Sequence, residues 1–148
     1  MLGAAIGDIA GSRFEFDNHR DTDFELFHPD SDFTDDTVCT TAVADWVLQG
    51  CGEDLASILR DWYAAYSSPK GAYGGRFLQW LQSGDPQPYN SWGNGSAMRV
   101  SAVGWAFGTL EETGQWAEIS TGTSASCAVP PAEIMAGAGW RHGNLSDR

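Results

Sequence analysis

Apolar residues in this chain recur at helical intervals and nowhere alternate steadily with polar ones, which confines it to the all-α class. Leu55, Ile58, Leu59, Trp62, Tyr63 and Tyr66 repeat at i, i+3, i+4, i+7, i+8 and i+11, the stripe of an amphipathic helix. From Thr34 onward Val38, Ala42, Val43, Trp46 and Val47 share another face, and Gly50 and Gly52 punctuate its end. A shorter helix carries Phe77, Trp80 and Leu81, after the breaker Ser67-Ser68-Pro69-Lys70-Gly71. Residues 96–107 resume helical spacing through Val100, Val103 and Phe107, and Glu111–Ile119 read as a weaker helix interrupted by Gly114. At the N-terminus, residues 2–14 form a small-residue helix whose Gly3, Gly7 and Gly11 allow another backbone to approach, at ~1 kcal/mol of propensity per glycine. Residues 17–33 are a polar, acidic loop without period, long enough to act as a lid or binding loop.

At 148 residues the chain suits one domain, able to bury roughly two-thirds of its unfolded surface. Its 20 acidic against 8 basic side chains leave a net charge of −12. That balance excludes a phosphate-backbone binder, whose affinity comes from Lys and Arg, so no nucleic-acid partner is expected. It also argues against docking on anionic lipid. No stretch reaches the ~20 apolar residues of a membrane span, and the start Met1-Leu2-Gly3-Ala4 lacks the basic region of a secretory signal. Cys39, Cys51 and Cys127 are odd in number and without CxxC spacing, which argues against a disulfide framework or structural zinc. A cytoplasmic location is the expectation. No feature of the sequence specifies an oligomeric state.

The chemistry concentrates in two places. Phe33-Thr34-Asp35-Asp36-Thr37 puts a hydroxyl and two adjacent carboxylates at the head of a helix. Thr at the N-cap with acids in the first turn serves helix capping and the macrodipole. The same dense oxygen set suits Mg²⁺ or Mn²⁺. It is not an EF-hand: with Asp30 at loop position 1, Asp35 falls where Gly is required and Thr41 where Glu is required.

The second cluster is Asn90-Ser91-Trp92-Gly93-Asn94-Gly95-Ser96-Ala97-Met98-Arg99. It lacks the third Gly and preceding strand of a Rossmann turn, and the Gly-Lys-Ser/Thr of a P-loop. A Gly-rich loop opening a helix remains, with backbone amides and one Arg suited to an anionic or sugar ligand. Gly71-Ala72-Tyr73-Gly74-Gly75-Arg76 is either a plain turn or a second such loop, with Tyr73 to stack or hydrogen-bond. Glu15, by itself, reads as a solvated acid, and His19, His28 and His142 stand at no ligand spacing.

Four motifs in order, however, resemble one family. They are Gly3-Ala4-Ala5-Ile6-Gly7-Asp8-Ile9-Ala10-Gly11-Ser12-Arg13-Phe14-Glu15, Phe33–Thr37, Gly71-Ala72-Tyr73-Gly74-Gly75 and Ser91–Val100. Over roughly residues 1–120 the chain is similar to the ADP-ribosylglycohydrolases, including the dinitrogenase-reductase-activating type. The resemblance implies an all-α, orthogonal multi-helix bundle with a two-Mg²⁺ centre. It implies Thr34, Asp35 and Asp36 as metal ligands on one side of that centre, with Glu15, Asp35 and Asp36 as catalytic residues. Tyr73, Gly74, Gly93, Asn94, Gly95, Ser96, Ala97 and Met98 are implied as contacts to ADP-ribose. The implied reaction is Mg-dependent hydrolysis of an ADP-ribosyl linkage on a protein side chain or small acceptor. Two departures accompany it: the family's later Asp-x-Asp-Thr cluster is missing, and after Gly122 the chain reads Thr123-Ser124-Ala125-Ser126-Cys127 in place of a His-containing stretch. These lead to the expectation of an N-terminal, truncated portion over residues 1–120. The segment 121–148 would then be a divergent, flexible tail of frameshift origin, and the hydrolase weak or inactive. The rival readings are a non-catalytic ADP-ribose-binding module and an all-α interaction protein.

Overall fold

The computed structural model describes residues 1–52, 54–89, 91 and 93–124. Among these there are helices and turns but no strand, in line with the all-α reading. The helices are α1 (Leu2–Gly11), continued by a 3-10 turn at Ser12–Phe14, then α2 (Asp35–Leu48), α3 (Leu55–Ala65), α4 (Gly75–Gln82), α5 (Gly95–Met98), α6 (Ser101–Ala106) and α7 (Leu110–Gly122).

The central element is α2. Thr34 caps it, its hydroxyl oxygen accepting from the Asp36 N–H at 3.2 Å. A Schellman motif ends it: the Gly50 N–H donates to Val47 O and the Cys51 N–H to Trp46 O, both at 3.0 Å. Gly50 takes the positive φ of 78° that this geometry needs. Packing against α1, α3 and α6 buries Val38, Cys39, Thr40, Ala42, Val43 and Trp46, a wider face than the sequence stripe proposes. Trp46 meets Trp116 of α7 edge-on at 5.6 Å, and Trp116 stacks on Phe107. On α3, Leu55, Ile58 and Leu59 are buried, while the stripe runs out to Tyr66, which is exposed.

Two expectations are corrected. The helix expected over 96–107 breaks into α5 and α6 at Arg99–Val100, where ψ is −9° and −7° instead of the ~−42° of an α-helix. Thr40 Oγ1 donates to Met98 O there, giving that carbonyl a partner outside its own helix. Gly114 does not interrupt the last helix, because Thr113, Ala117, Ser120 and Thr121 bury one continuous face of α7. Thr109 also caps α7, its hydroxyl accepting from the Glu112 N–H and donating to the Glu112 carboxylate. Helix α7 runs to Gly122, and Thr121 and Ser124 are buried. The rest of the expected tail, residues 125–148, lies outside the described residues. No described helix is long and apolar enough to cross a membrane.

Candidate active site

The fold brings the separated motifs to one cleft of about 990 Å³. Its walls come from α1 with Glu15 just beyond, the first turn of α2, the loop into α4, and the segment 91–99. Of the predicted residues, Glu15, Thr34, Asp35, Asp36, Tyr73, Gly74, Gly93, Asn94, Gly95, Ser96 and Met98 line it; Ala97 does not. Asn90 and Trp92 lie outside the described residues.

The acidic end is built on the α2 N-terminus. Asp35 and Asp36 follow the cap directly, so the helix start projects both from one turn. Burial, then the charges of Asp36, Glu15 and Asp8, push the Asp35 carboxyl up to about 6. Burial, then Asp8 and Glu15, push Asp36 upward as well. Carboxylates that penalise one another in a partly desolvated place are stabilised by a cation set among them. Thr34 Oγ1, Asp35 and Asp36 are oxygen donors of the kind a hard divalent ion prefers, three where such an ion takes about six. Among the described residues no group of three or more His, Cys, Asp or Glu is placed to hold a metal, so the set relies on the threonine oxygen.

Glu15 is exposed and sits against Gly71, where a Cβ would lie 2.6 Å from its Oε2. Gly71 has φ 78° and Ala72 φ 63°, a left-handed pair that turns the chain tightly enough for this approach. The backbone of this turn is held to the head of α2, with the Lys70 N–H donating to Phe33 O at 3.2 Å in a parallel bridge between Thr34 and Lys70.

The loop end differs from its sequence reading. The Tyr73 hydroxyl donates to Tyr66 O at 2.7 Å and its ring is buried edge-on to Tyr63, so the side chain is a wall of the cleft with its polar end committed. The Ala97 and Met98 N–H groups donate to Asn94 O, and Gly93 N–H to Ser91 Oγ. Helix α5 is a single turn, so little macrodipole stands behind the loop. Arg99 is no surface anion hook: it is 1% exposed, and its guanidinium donates to Ser120 O and Ser124 Oγ, both at 2.8 Å. It ties the loop to the end of α7.

Gly3, Gly7 and Gly11 also behave otherwise than expected. Among the described residues a Cβ at each would meet nothing within 4 Å, so no described backbone packs on them; they line the cleft. The residue that sequence reasoning missed is Asp8, on the same wall. Its carboxylate accepts from Thr34 N–H at 2.9 Å, Thr34 Oγ1 at 2.6 Å and Thr37 Oγ1 at 2.5 Å. The available signal was a lone acid within an otherwise small and apolar helix.

The ADP-ribosylglycohydrolase family model matches residues 1–138. The chain belongs to the ADP-ribosylglycohydrolase family. The match runs past residue 120, the limit expected from the motifs alone, and contains all four of them. A search among curated proteins finds no match. At the family level the function is therefore ADP-ribosylglycohydrolase-like, and residues of the four sequence motifs meet at the cleft.

Proposed function

We propose that the cleft binds an ADP-ribosyl group and supports Mg²⁺-dependent hydrolysis of its bond to a protein side chain or small acceptor. The observation that carries this reading is convergence: four motifs distant in sequence share one cleft with an acidic end and a Gly-rich end. Thr34, Asp35 and Asp36 would hold the cation, which when bound supplies positive charge to orient ribose hydroxyls and water. The chain's own residues do the rest. Tyr73 and Gly74 wall the cleft, the loop Gly93–Met98 borders the ligand, and Glu15 offers a carboxylate to an oxocarbenium-like centre and its attacking water. With one ligand triplet from the described residues the cation is held weakly, and turnover by this chain is slow.

The test is release of ADP-ribose from an ADP-ribosylated arginine peptide by the 148-residue chain, with Mg²⁺ or with chelator. Slow release that stops on chelation and in Asp35→Ala supports the proposal; release indifferent to both overturns it. A second reading, binding without turnover, is favoured by the want of a three-acid metal group among the described residues. Calorimetric ADP-ribose binding with no release in any metal would select it.

A further inference from the structure

We infer that Asp8 is a positioning residue that sets the direction of the Thr34 hydroxyl, so that its oxygen presents a lone pair to a divalent cation in the cleft. The inference rests on the reading of Thr34 as a cation ligand and adds what makes it one. A carboxylate only accepts, so each of the three hydrogen bonds at Asp8 fixes where a proton lies. The Thr34 Oγ1 proton points at Asp8 Oδ1 over 2.6 Å. One lone pair on that oxygen takes the Asp36 N–H at 3.2 Å. With the proton directed to α1 and one lone pair to the helix backbone, the second lone pair is the one left for the cleft, whose wall Thr34 forms. Thr34 is 5% exposed, so water does not readily substitute for Asp8 in this arrangement. Partners behind a ligand commonly control its orientation in this way, and removing them costs metal affinity.

Asp8→Asn separates this role from simple attachment of α1 to α2. Asp8 Oδ2 faces the Thr34 N–H, which can only donate, so the amide oxygen of the replacement takes that place. Its NH₂ then occupies the Oδ1 position and donates to Thr34 Oγ1. Both lone pairs of that hydroxyl are now used and its proton swings into the cleft, against a cation. Thr37→Val is the control: it removes the 2.5 Å bond to Asp8 Oδ2 with almost no change of volume and leaves Thr34 as it is.

The experiment is Mn²⁺ titration of the full chain and both variants, read by calorimetry and by the loss of free-ion paramagnetic signal, with thermal melting of the metal-free proteins alongside. The expected result is Mn²⁺ affinity lowered roughly ten- to a hundred-fold in Asp8→Asn. Thr37→Val should keep the unsubstituted chain's affinity, although its metal-free melting temperature falls at least as far. Equal affinity in Asp8→Asn and the unsubstituted chain overturns the inference while leaving the cation reading intact. So does a loss in both variants that merely follows their loss of stability. Absence of Mn²⁺ binding in the unsubstituted chain overturns the cation reading, and this inference falls with it.

Discussion

Replacing Asp35 by Asn should make the metal-free protein more stable at neutral pH, an outcome opposite to that of most changes at a half-buried polar position. In the folded chain the Asp35 carboxyl is pushed from 3.8 up to about 6, first by burial and then by the charges of Asp36, Glu15 and Asp8. Below pH 3.8 the group is protonated in both folded and unfolded states and contributes nothing. Between 3.8 and about 6 the folded state keeps a proton that the unfolded state releases, so stability falls as pH rises; above about 6 the penalty is complete. Each pH unit is worth ~1.4 kcal/mol, which puts the full penalty near ~3 kcal/mol. Solvent in the open cleft screens this to ~1–2 kcal/mol. Against it stands the preference of the α2 N-terminus for an acid, ~0.5 kcal/mol, the smaller effect. Asp35→Asn should therefore gain ~1 kcal/mol at pH 7.5 in chelator, a rise of ~2–4 °C in melting temperature, and gain nothing near pH 3.5. Urea unfolding followed by tryptophan fluorescence measures it. Saturating Mg²⁺ should reverse the order, stabilising the unsubstituted chain and not the variant. A variant that is equally or less stable at pH 7.5 without metal would refute the idea that this end of the cleft is held under mutual repulsion.

Three further outcomes are expected. Gly71→Ala should cost ~1 kcal/mol through its φ of 78°. Because the nearest atoms to the new Cβ belong to the far end of the exposed Glu15 side chain, the cost should change by less than ~0.5 kcal/mol in a Glu15→Ala background, as a double-mutant cycle would show. Arg99→Met should cost ~2–4 kcal/mol in urea unfolding, since it strips Ser120 O and Ser124 Oγ of a buried charged donor. Burial pushes the Cys39 thiol up to about 12, so iodoacetamide at pH 8 should spare it in the folded chain and label it once denaturant is added, as peptide mass spectrometry would record.

What could be read from the sequence was local. The stripe on α3, the Thr34 cap and the glycine stop after Leu48 each depend on residues within a turn or two of one another, and each is found. The misreadings came where a distant residue decides. Thr40 partners a carbonyl at the α5–α6 break, and a buried face carries α7 across Gly114. The candidate site follows the same division. Thr34, Asp35 and Asp36 could be singled out as a contiguous oxygen set, whereas Asp8 gains its meaning only from Thr34 and Thr37, more than twenty residues away. Arg99 looked like a ligand hook because nothing near it in sequence announces that Ser120 and Ser124 surround its guanidinium.

The first helix is thinly anchored. Only Ala10 of α1 is buried, Leu2 is 77% exposed, and its polar ties to the described residues of the body run through the Asp8 bonds and, in the turn that follows, the Ser12 hydroxyl, which accepts the Asp32 N–H at 3.1 Å, and Arg13, which donates to Glu25 O. Such an element opens at a lower free energy than the core does, and its amides exchange with solvent through that partial opening. Yet α1 and the first turn of α2 both line the cleft. An occupant that touches both acts as a staple, and it raises the free energy of opening in proportion to the logarithm of its saturation. Deuterium uptake over residues 2–11 and occupancy of the cleft are thus two readings of a single equilibrium.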